Sequence, residues 1–360
     1  MQRKNKIVSL LTLVFFLFPL LCIHSQEIKV KNVVFMIGDG MGLSHIYAAM
    51  TKNNGKLQIE RFPYSGFSKT YSANNYTTDS GAGGTALACG VKTNNGMIGL
   101  SADSLPQKSI LEISHQQGLS TGVVVACNVT HATPASYLAH SAHRSMTSDI
   151  AQDIVNSGVD VLIGGGKKDF ESTASSKSLA RQLIEKEYQL LYMMNDLLAV
   201  DSGKVVALLA ENHPPKASER KDLLYNGTKK ALELLSKNDK GFFLLVEASQ
   251  IDWASHKNNF NDVIDEVLDF DKVIGLVLDF AAQNGNTLVI VTADHETGGL
   301  VLLNKDSETG KIKNKFTTKH HSATPVPVFS FGVGAENFSG IMENTSFFDK
   351  LMKLYQFKNY

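Results

Sequence analysis

The sequence predicts an α/β fold: a mostly parallel central sheet with helices on both faces, in one domain over 26–360 behind a leader at 1–25. Three observations carry that expectation. Apolar runs of strand length recur at 33–37, 122–126, 160–163, 205–209, 242–246, 287–291 and 327–331, and segments of helical period at 109–117, 218–236 and 261–283 alternate with them. The runs are continuously apolar, the pattern of strands buried on both faces. The 360 residues are 43% apolar and 19% charged, without a Pro-rich linker, a break in composition or an internal repeat. One large core is within reach of such a chain, and disorder or a coiled coil is not.

At the N-terminus, Arg3, Lys4 and Lys6 precede an uncharged, mostly apolar run at 7–23, and Ser25 offers a small residue before Gln26 and Glu27. This is the layout of a secretory signal. Export to the periplasm or the medium is therefore expected, with no membrane span left after removal. Lys plus Arg equals Asp plus Glu at 35 each, which excludes a basic field for nucleic acid. Without the three leader cations the chain carries 32 basic and 35 acidic residues, a net of −3. A chain of that sign that handles an anion needs local positive charge, such as metal ions. Cys89 and Cys127 remain after cleavage, and an oxidising compartment permits either a disulfide or two buried thiols.

Ligands of open α/β sheets bind beyond the carboxyl ends of strands, so the residues following each run matter most. Asp39 follows the first run between Gly38 and Gly40, which let the backbone turn tightly. Asp294 and His295 follow 287–291. Successive side chains of a strand point to opposite faces, so these two share a site only if the strand breaks there. Glu247 follows 242–246, and Asp252 and His256 come next, four apart and on one face of a helix. His320 and His321 precede the last run. Carboxylates with histidines suit zinc and oxygen-only sets suit magnesium; the donors here suffice for more than one ion. Ser80, in Asp79-Ser80-Gly81-Ala82-Gly83-Gly84, reads as a residue at a helix N-terminus, where free N–H groups favour an anion. No Gly-x-Ser-x-Gly elbow surrounds it, so activation by a metal fits better than a triad. His45, His115 and His213 belong to no cluster and read as surface or core histidines. Lys167 and Lys168 read as a solvated loop.

With these motifs assembled, the chain resembles the alkaline phosphatase family over 32–335. The resemblance rests on Ile37-Gly38-Asp39-Gly40-Met41-Gly42, on Asp79-Ser80 through Cys89-Gly90-Val91-Lys92-Thr93, and on His131-Ala132-Thr133-Pro134-Ala135. Glu247-Ala248-Ser249-Gln250-Ile251-Asp252 with His256, Thr292-Ala293-Asp294-His295 and His321-Ser322-Ala323-Thr324-Pro325 complete it. It implies two zinc ions and one magnesium ion. Asp252, His256 and His321 would hold the first zinc. Asp39, Asp294 and His295 would hold the second, with Ser80 at its open position. Asp39 would bridge to magnesium, which also takes Thr133 and Glu247. Ser80 is then the nucleophile, Arg144 the arginine that binds phosphate, and Asp79 the carboxylate that orients it. The implied activity is hydrolysis of phosphate monoesters through a covalent phosphoserine, with an alkaline optimum.

Two positions vary within that family. His131 stands where some members carry an acid; it is expected just outside the ligand shell, where it alters the choice of metal at the magnesium site. Trp253 stands where others carry Lys or His, so weaker phosphate binding is expected. The stretch 297–319 leaves little room for an elaborate surface lobe. The alternatives are a phosphodiesterase or sulfatase of the same superfamily, or an exported phosphate- or metal-binding protein. A sulfatase needs Cys or Ser in a Cys/Ser-x-Pro-x-Arg setting, which neither Ser80 nor Cys89 has. Diesterases usually lack the set Thr133, Glu247 and Arg144, and an intact Ser80 argues against a binding protein. Small phosphate monoesters are the expected partners, and both monomer and homodimer stay open.

Overall fold

A computed structural model describes residues 30–171, 178–306 and 309–358, and the expected leader lies outside them. In chain order the strands are β1 (Asn32–Gly38), β2 (Tyr64–Lys69), β3 (Ser120–Asn128), β4 (Val161–Gly165), β5 (Gln189–Leu191), β6 (Val205–Leu208) and β7 (Phe242–Ala248). Then come β8 (Thr287–Thr292), β9 (Glu296–Thr297), β10 (Leu300–Lys305), β11 (Ile312–Phe316), β12 (His321–Ser322), β13 (Val326–Gly332) and β14 (Gly340–Glu343). Ten of them form one sheet in the order β14-β2-β13-β8-β1-β7-β3-β4-β6-β5. Every pairing in it is parallel except those of β13, which runs antiparallel to β2 and β8.

The alternation of side chains along a strand divides the core in two. Val33, Phe35 and Ile37 of β1 and Val123 and Val125 of β3 face one apolar cluster, with Leu87 and Ala135 from the helices Ser80–Cys89 and Ala132–Leu138. Val34 and Met36 of β1 and Val124 and Ala126 of β3 face the other, against Phe270, Val273 and Val277 of the long helix Phe260–Asn284. That helix starts where the Asn259 side chain accepts from the Asp262 N–H, and it stops at Gly285, whose φ of 72° suits glycine. Both faces of the sheet are thus covered by helices, as the uniformly apolar runs require. No helix among the described residues is long and apolar enough to cross a membrane.

The seven expected strands are present; most are longer by a residue or two, while β4 begins one residue late and β6 stops one residue short. Three more, β2, β5 and β14, carry too little apolar signal to be read in advance: β2 is half exposed, and β5 is three residues at the sheet edge. The short stretch after Thr297 folds as the antiparallel pair β10–β11. Lys167 and Lys168 open a helical turn, Lys167–Glu171, instead of a loop. Lys167 Nζ lies 2.9 Å from Glu211.

Candidate metal centre

Strands β8, β1, β7 and β3 are neighbours and end on the same edge of the sheet. Their register, Ile37 beside Glu247 and Thr292, and Val125 beside Glu247, brings the residues after each strand to one place. Three groups of donors gather there.

Asp252 and His256 sit one turn apart on the helix Gln250–His256, and His321 arrives on β12, held by its pairing with β9. His256 Nε2 is 3.3 Å and His321 Nε2 3.5 Å from Asp252 Oδ1, and the two Nε2 atoms are 3.2 Å apart. Each Nδ1 faces a backbone carbonyl, that of Lys319 at 2.5 Å for His256 and that of Thr78 at 2.9 Å for His321. A ring nitrogen opposite a carbonyl carries the hydrogen, leaving Nε2 as the nitrogen able to meet a metal. Two donors on one tetrahedral zinc, with bonds near 2.0–2.1 Å, lie roughly 3.3 Å apart, which is the size of this triangle. Burial alone would push Asp252 up, yet the hydrogen bonds from His256 and His321 hold it well below the usual carboxylate range. The Thr297 hydroxyl donates to the same carboxylate.

Asp39, Asp294 and His295 form the second group, all fully buried. The break between β8 and β9 is what lets Asp294 and His295 converge. His295 Nε2 lies 3.5 Å from Asp39 Oδ1, 3.3 Å from Asp294 Oδ2 and 3.3 Å from Ser80 Oγ. Neither carboxylate oxygen of Asp39 has a hydrogen-bond partner. Burial pushes Asp39 far up and Asp294 up to about 6, and it holds His295 well below its ordinary value. An ionised carboxylate buried without a partner is costly, so this group fits a bound cation.

The third group is Cys127, His131 and Glu247, with Thr133 nearby on the helix Ala132–Leu138. Glu247 Oε1, Thr133 Oγ1 and His131 Nδ1 are buried without partners, and burial pushes Glu247 up to about 7. His131 brings a ring nitrogen within 4.8 Å of the Cys127 and Glu247 donor atoms. Cys127 and Cys89 are both free and buried, which resolves the thiol question the sequence left open.

Ser80 is the first residue of the helix Ser80–Cys89, with Asp79 as its cap. Asp79 Oδ1 accepts from the Ala82 N–H at 3.0 Å, both carboxylate oxygens accept from the Gly96 N–H at 3.1 Å, and Oδ2 accepts from Arg144 Nη1 at 3.1 Å. Arg144 Nη2 donates to His131 Nε2 at 3.2 Å. The helix can lie this close because of glycine: a Cβ at Gly83 would come 3.0 Å from the Asp294 carbonyl oxygen.

Trp253, next to Asp252, meets His213 edge-on with ring centroids 4.5 Å apart and His131 at 5.8 Å. His213 therefore lines the edge of the site, contrary to its isolation in the sequence. Cys127 and Thr297 also escaped sequence reading. The spacing Cys127, His131, Thr133 at the end of a strand was the available signal for the first; nothing local marks the second. His45 is a core histidine, 3.1 Å from Ser255 Oγ and held neutral by burial, with its pKa lowered to about 4.

The model of the family described as "Alkaline phosphatase" matches residues 30–310. Alkaline phosphatase 4 of Bacillus subtilis is 38% identical over 295 residues, covering 77% of this chain and 64% of that protein, so this chain spans less than two thirds of that relative. The solved alkaline phosphatase of the Antarctic bacterium TAB5 is 40% identical with a TM-score of 0.88, covering 92% of this chain and 100% of its own. A variant of it with a histidine replaced by Asp, 38% identical with a TM-score of 0.87 over 93% of this chain and 100% of its own, is described with Mg bound in the M3 site. Matched over most of its length in sequence and sharing this fold, the chain belongs to the alkaline phosphatase family.

Proposed function

We propose that this protein is an exported, metal-dependent phosphatase that hydrolyses small phosphate monoesters through a phosphoserine at Ser80. The observation that carries this reading is Ser80 Oγ, at a helix N-terminus, 3.3 Å from His295 Nε2 within the Asp39–Asp294–His295 group. Asp252, His256 and His321 would hold one zinc ion, and Asp39, Asp294 and His295 a second. Thr133 and Glu247 would hold a third cation, with Asp39 bridging to it; the family resemblance implies magnesium there. When bound, such ions lower the pKa of an attacking hydroxyl and neutralise charge on the leaving oxygen.

The protein's own groups account for the rest. Arg144 presents a planar fork that can bind two phosphate oxygens, which Lys cannot copy. Asp79 aims that fork and caps the helix whose first N–H groups face the anion. Ser80 Oγ attacks phosphorus in line as the ester oxygen leaves, and water then cleaves the phosphoserine from the opposite side. Catalysis is chiefly positioning and electrostatics, since a phosphoryl group in transfer offers little covalent chemistry to assist. The basic–apolar–small pattern at 1–25 supports export.

The test is hydrolysis of a chromogenic phosphate monoester, the matching diester and the matching sulfate ester, at alkaline pH with Zn²⁺ and Mg²⁺. Monoester turnover that collapses in Ser80→Ala and after chelation is expected. Preference for the diester or sulfate overturns the substrate class, and no turnover with metal bound overturns the enzyme reading.

A further inference from the structure

The third donor group differs chemically from the other two. Asp39–Asp294–His295 and Asp252–His256–His321 offer only oxygen and nitrogen, whereas Cys127, His131 and Glu247 offer sulfur, nitrogen and oxygen. Cys127 lies on β3 two residues beyond Val125, whose neighbour across the pairing is Glu247. Residues two apart share a face of a strand, so the register itself delivers the thiol to the Glu247 carboxylate. Cys127 Sγ is 3.5 Å from Glu247 Oε2. Two donors on one zinc, with bonds near 2.3 Å for sulfur and 2.0 Å for oxygen, lie roughly 3.5 Å apart.

A buried free cysteine is ordinarily a small apolar side chain, and that would account for Cys127 if its surroundings were apolar. They are not. Glu247 and Thr133 are fully buried, and Glu247 Oε1, Thr133 Oγ1 and His131 Nδ1 have no hydrogen-bond partner. Buried polar atoms almost always have partners. Two unpartnered oxygens, Glu247 Oε1 and Thr133 Oγ1, beside one thiol are what a cation would satisfy; His131 Nδ1 carries the ring hydrogen, because Nε2 accepts from Arg144. Thiolate ligands select soft or borderline ions such as zinc, while magnesium wants an octahedral shell of oxygens and keeps several waters.

We infer that Cys127 is a ligand of the third metal ion and that its sulfur makes this site select zinc over magnesium; this deepens the phosphatase reading and rests on its three-ion centre. On binding, the thiol proton leaves to solvent and a sulfur lone pair forms the metal bond. Nothing is oxidised or reduced. The thiol gives up its weak hydrogen bonds, to the Asn128 carbonyl 3.2 Å away and to Glu247 Oε2 3.5 Å away.

Cobalt titration of the full chain, freed of metal by chelation, tests this without reference to turnover. Sulfur-to-cobalt charge transfer in the near ultraviolet should appear in the wild type as the third equivalent binds. In Cys127→Ser it should vanish, while the visible cobalt bands of the first two equivalents persist. In parallel, zinc retained against a large excess of Mg²⁺ should fall from three equivalents to two in the variant. Two or more bound cobalt ions with no sulfur band in the wild type overturn the role of Cys127 and leave the phosphatase reading standing. That outcome is read on the wild type, so it holds even where Cys127→Ser fails to fold. No cobalt bound at all overturns both. An unchanged sulfur band in Cys127→Ser points to Cys89 and also overturns the inference.

Discussion

Asp79 and Arg144 are tied by one carboxylate that also caps the helix beginning at Ser80: Asp79 Oδ2 accepts from Arg144 Nη1 at 3.1 Å while Oδ1 accepts from the Ala82 N–H at 3.0 Å. The residue that aims the proposed phosphate fork of Arg144 is therefore also the cap of the helix that begins at Ser80. Asp79→Ala should raise both KM and the phosphate inhibition constant about 10-fold, the loss of one hydrogen bond to a charged group. It should also cost about 1 kcal/mol of stability through the lost cap. Asp79→Asn keeps an acceptor for Ala82 and should retain most of the stability while still losing phosphate affinity. Initial-rate kinetics with thermal unfolding separate the two effects, and an unmoved KM in both variants would falsify the tie.

Metal affinity should rise with pH through about 7. Burial raises Asp39, lifts Asp294 to about 6 and lifts Glu247 to about 7. The hydrogen bond to Asp252 raises His256, and the same carboxylate raises His321 against its burial. Below these values each group holds a proton in the metal-free protein, and an arriving cation must displace it. The sign follows: fewer protons remain to displace as pH rises, so apparent affinity grows by up to about tenfold per pH unit for each proton released. His295, held low, has none to give. Calorimetry of zinc binding at pH 6 and pH 8, in buffers of different ionisation heat, should show more protons released at pH 6. Equal release at both would contradict the assignment.

Trp253 packs edge-on against His213 and lies beside His131, which accepts from Arg144. It contributes ring surface and no charge at the edge of the proposed phosphate site. Trp253→Lys should tighten inhibition by inorganic phosphate about 10-fold, the scale of one added charged hydrogen bond, and slow turnover wherever product release limits the rate. Phosphate inhibition constants for Trp253→Lys and Trp253→His check this, with no tightening in either as the contrary result.

Gly40 has no room for a side chain. Its φ is +74°, and a Cβ there would meet Thr297 Oγ1 at 2.8 Å and Asp252 Cα at 2.9 Å. Its N–H also donates to Asp294 Oδ1 at 3.2 Å. Gly40→Ala should cost about 1–3 kcal/mol from backbone strain alone, with a further loss of zinc as the Asp252 and Asp294 carboxylates part. Thermal unfolding together with zinc content decides it; a variant with wild-type values for both would show that the turn can relax.

The amino-acid order by itself determined the frame. Strands β1, β7 and β8 are buried on both faces, so each had to be an unbroken apolar run, and such runs are visible without a structure. Because ligands gather where parallel strands end, Asp39, Glu247, Asp294 and His295 were legible as the polar residues that follow them. The edge strands β2, β5 and β14 were not, since half-exposed or very short strands need little apolar character and leave no pattern to find. What only the tertiary structure decided were the meetings across chain-distant segments. The pairing of β3 with β7 places Cys127 against Glu247, 120 residues away. The turn around Gly40 and the β9–β12 pairing carry Thr297 onto Asp252, and packing stands His213 on Trp253. Strand register and close packing are set by the whole sheet at once, and no local stretch of sequence encodes which side chain will lie opposite another.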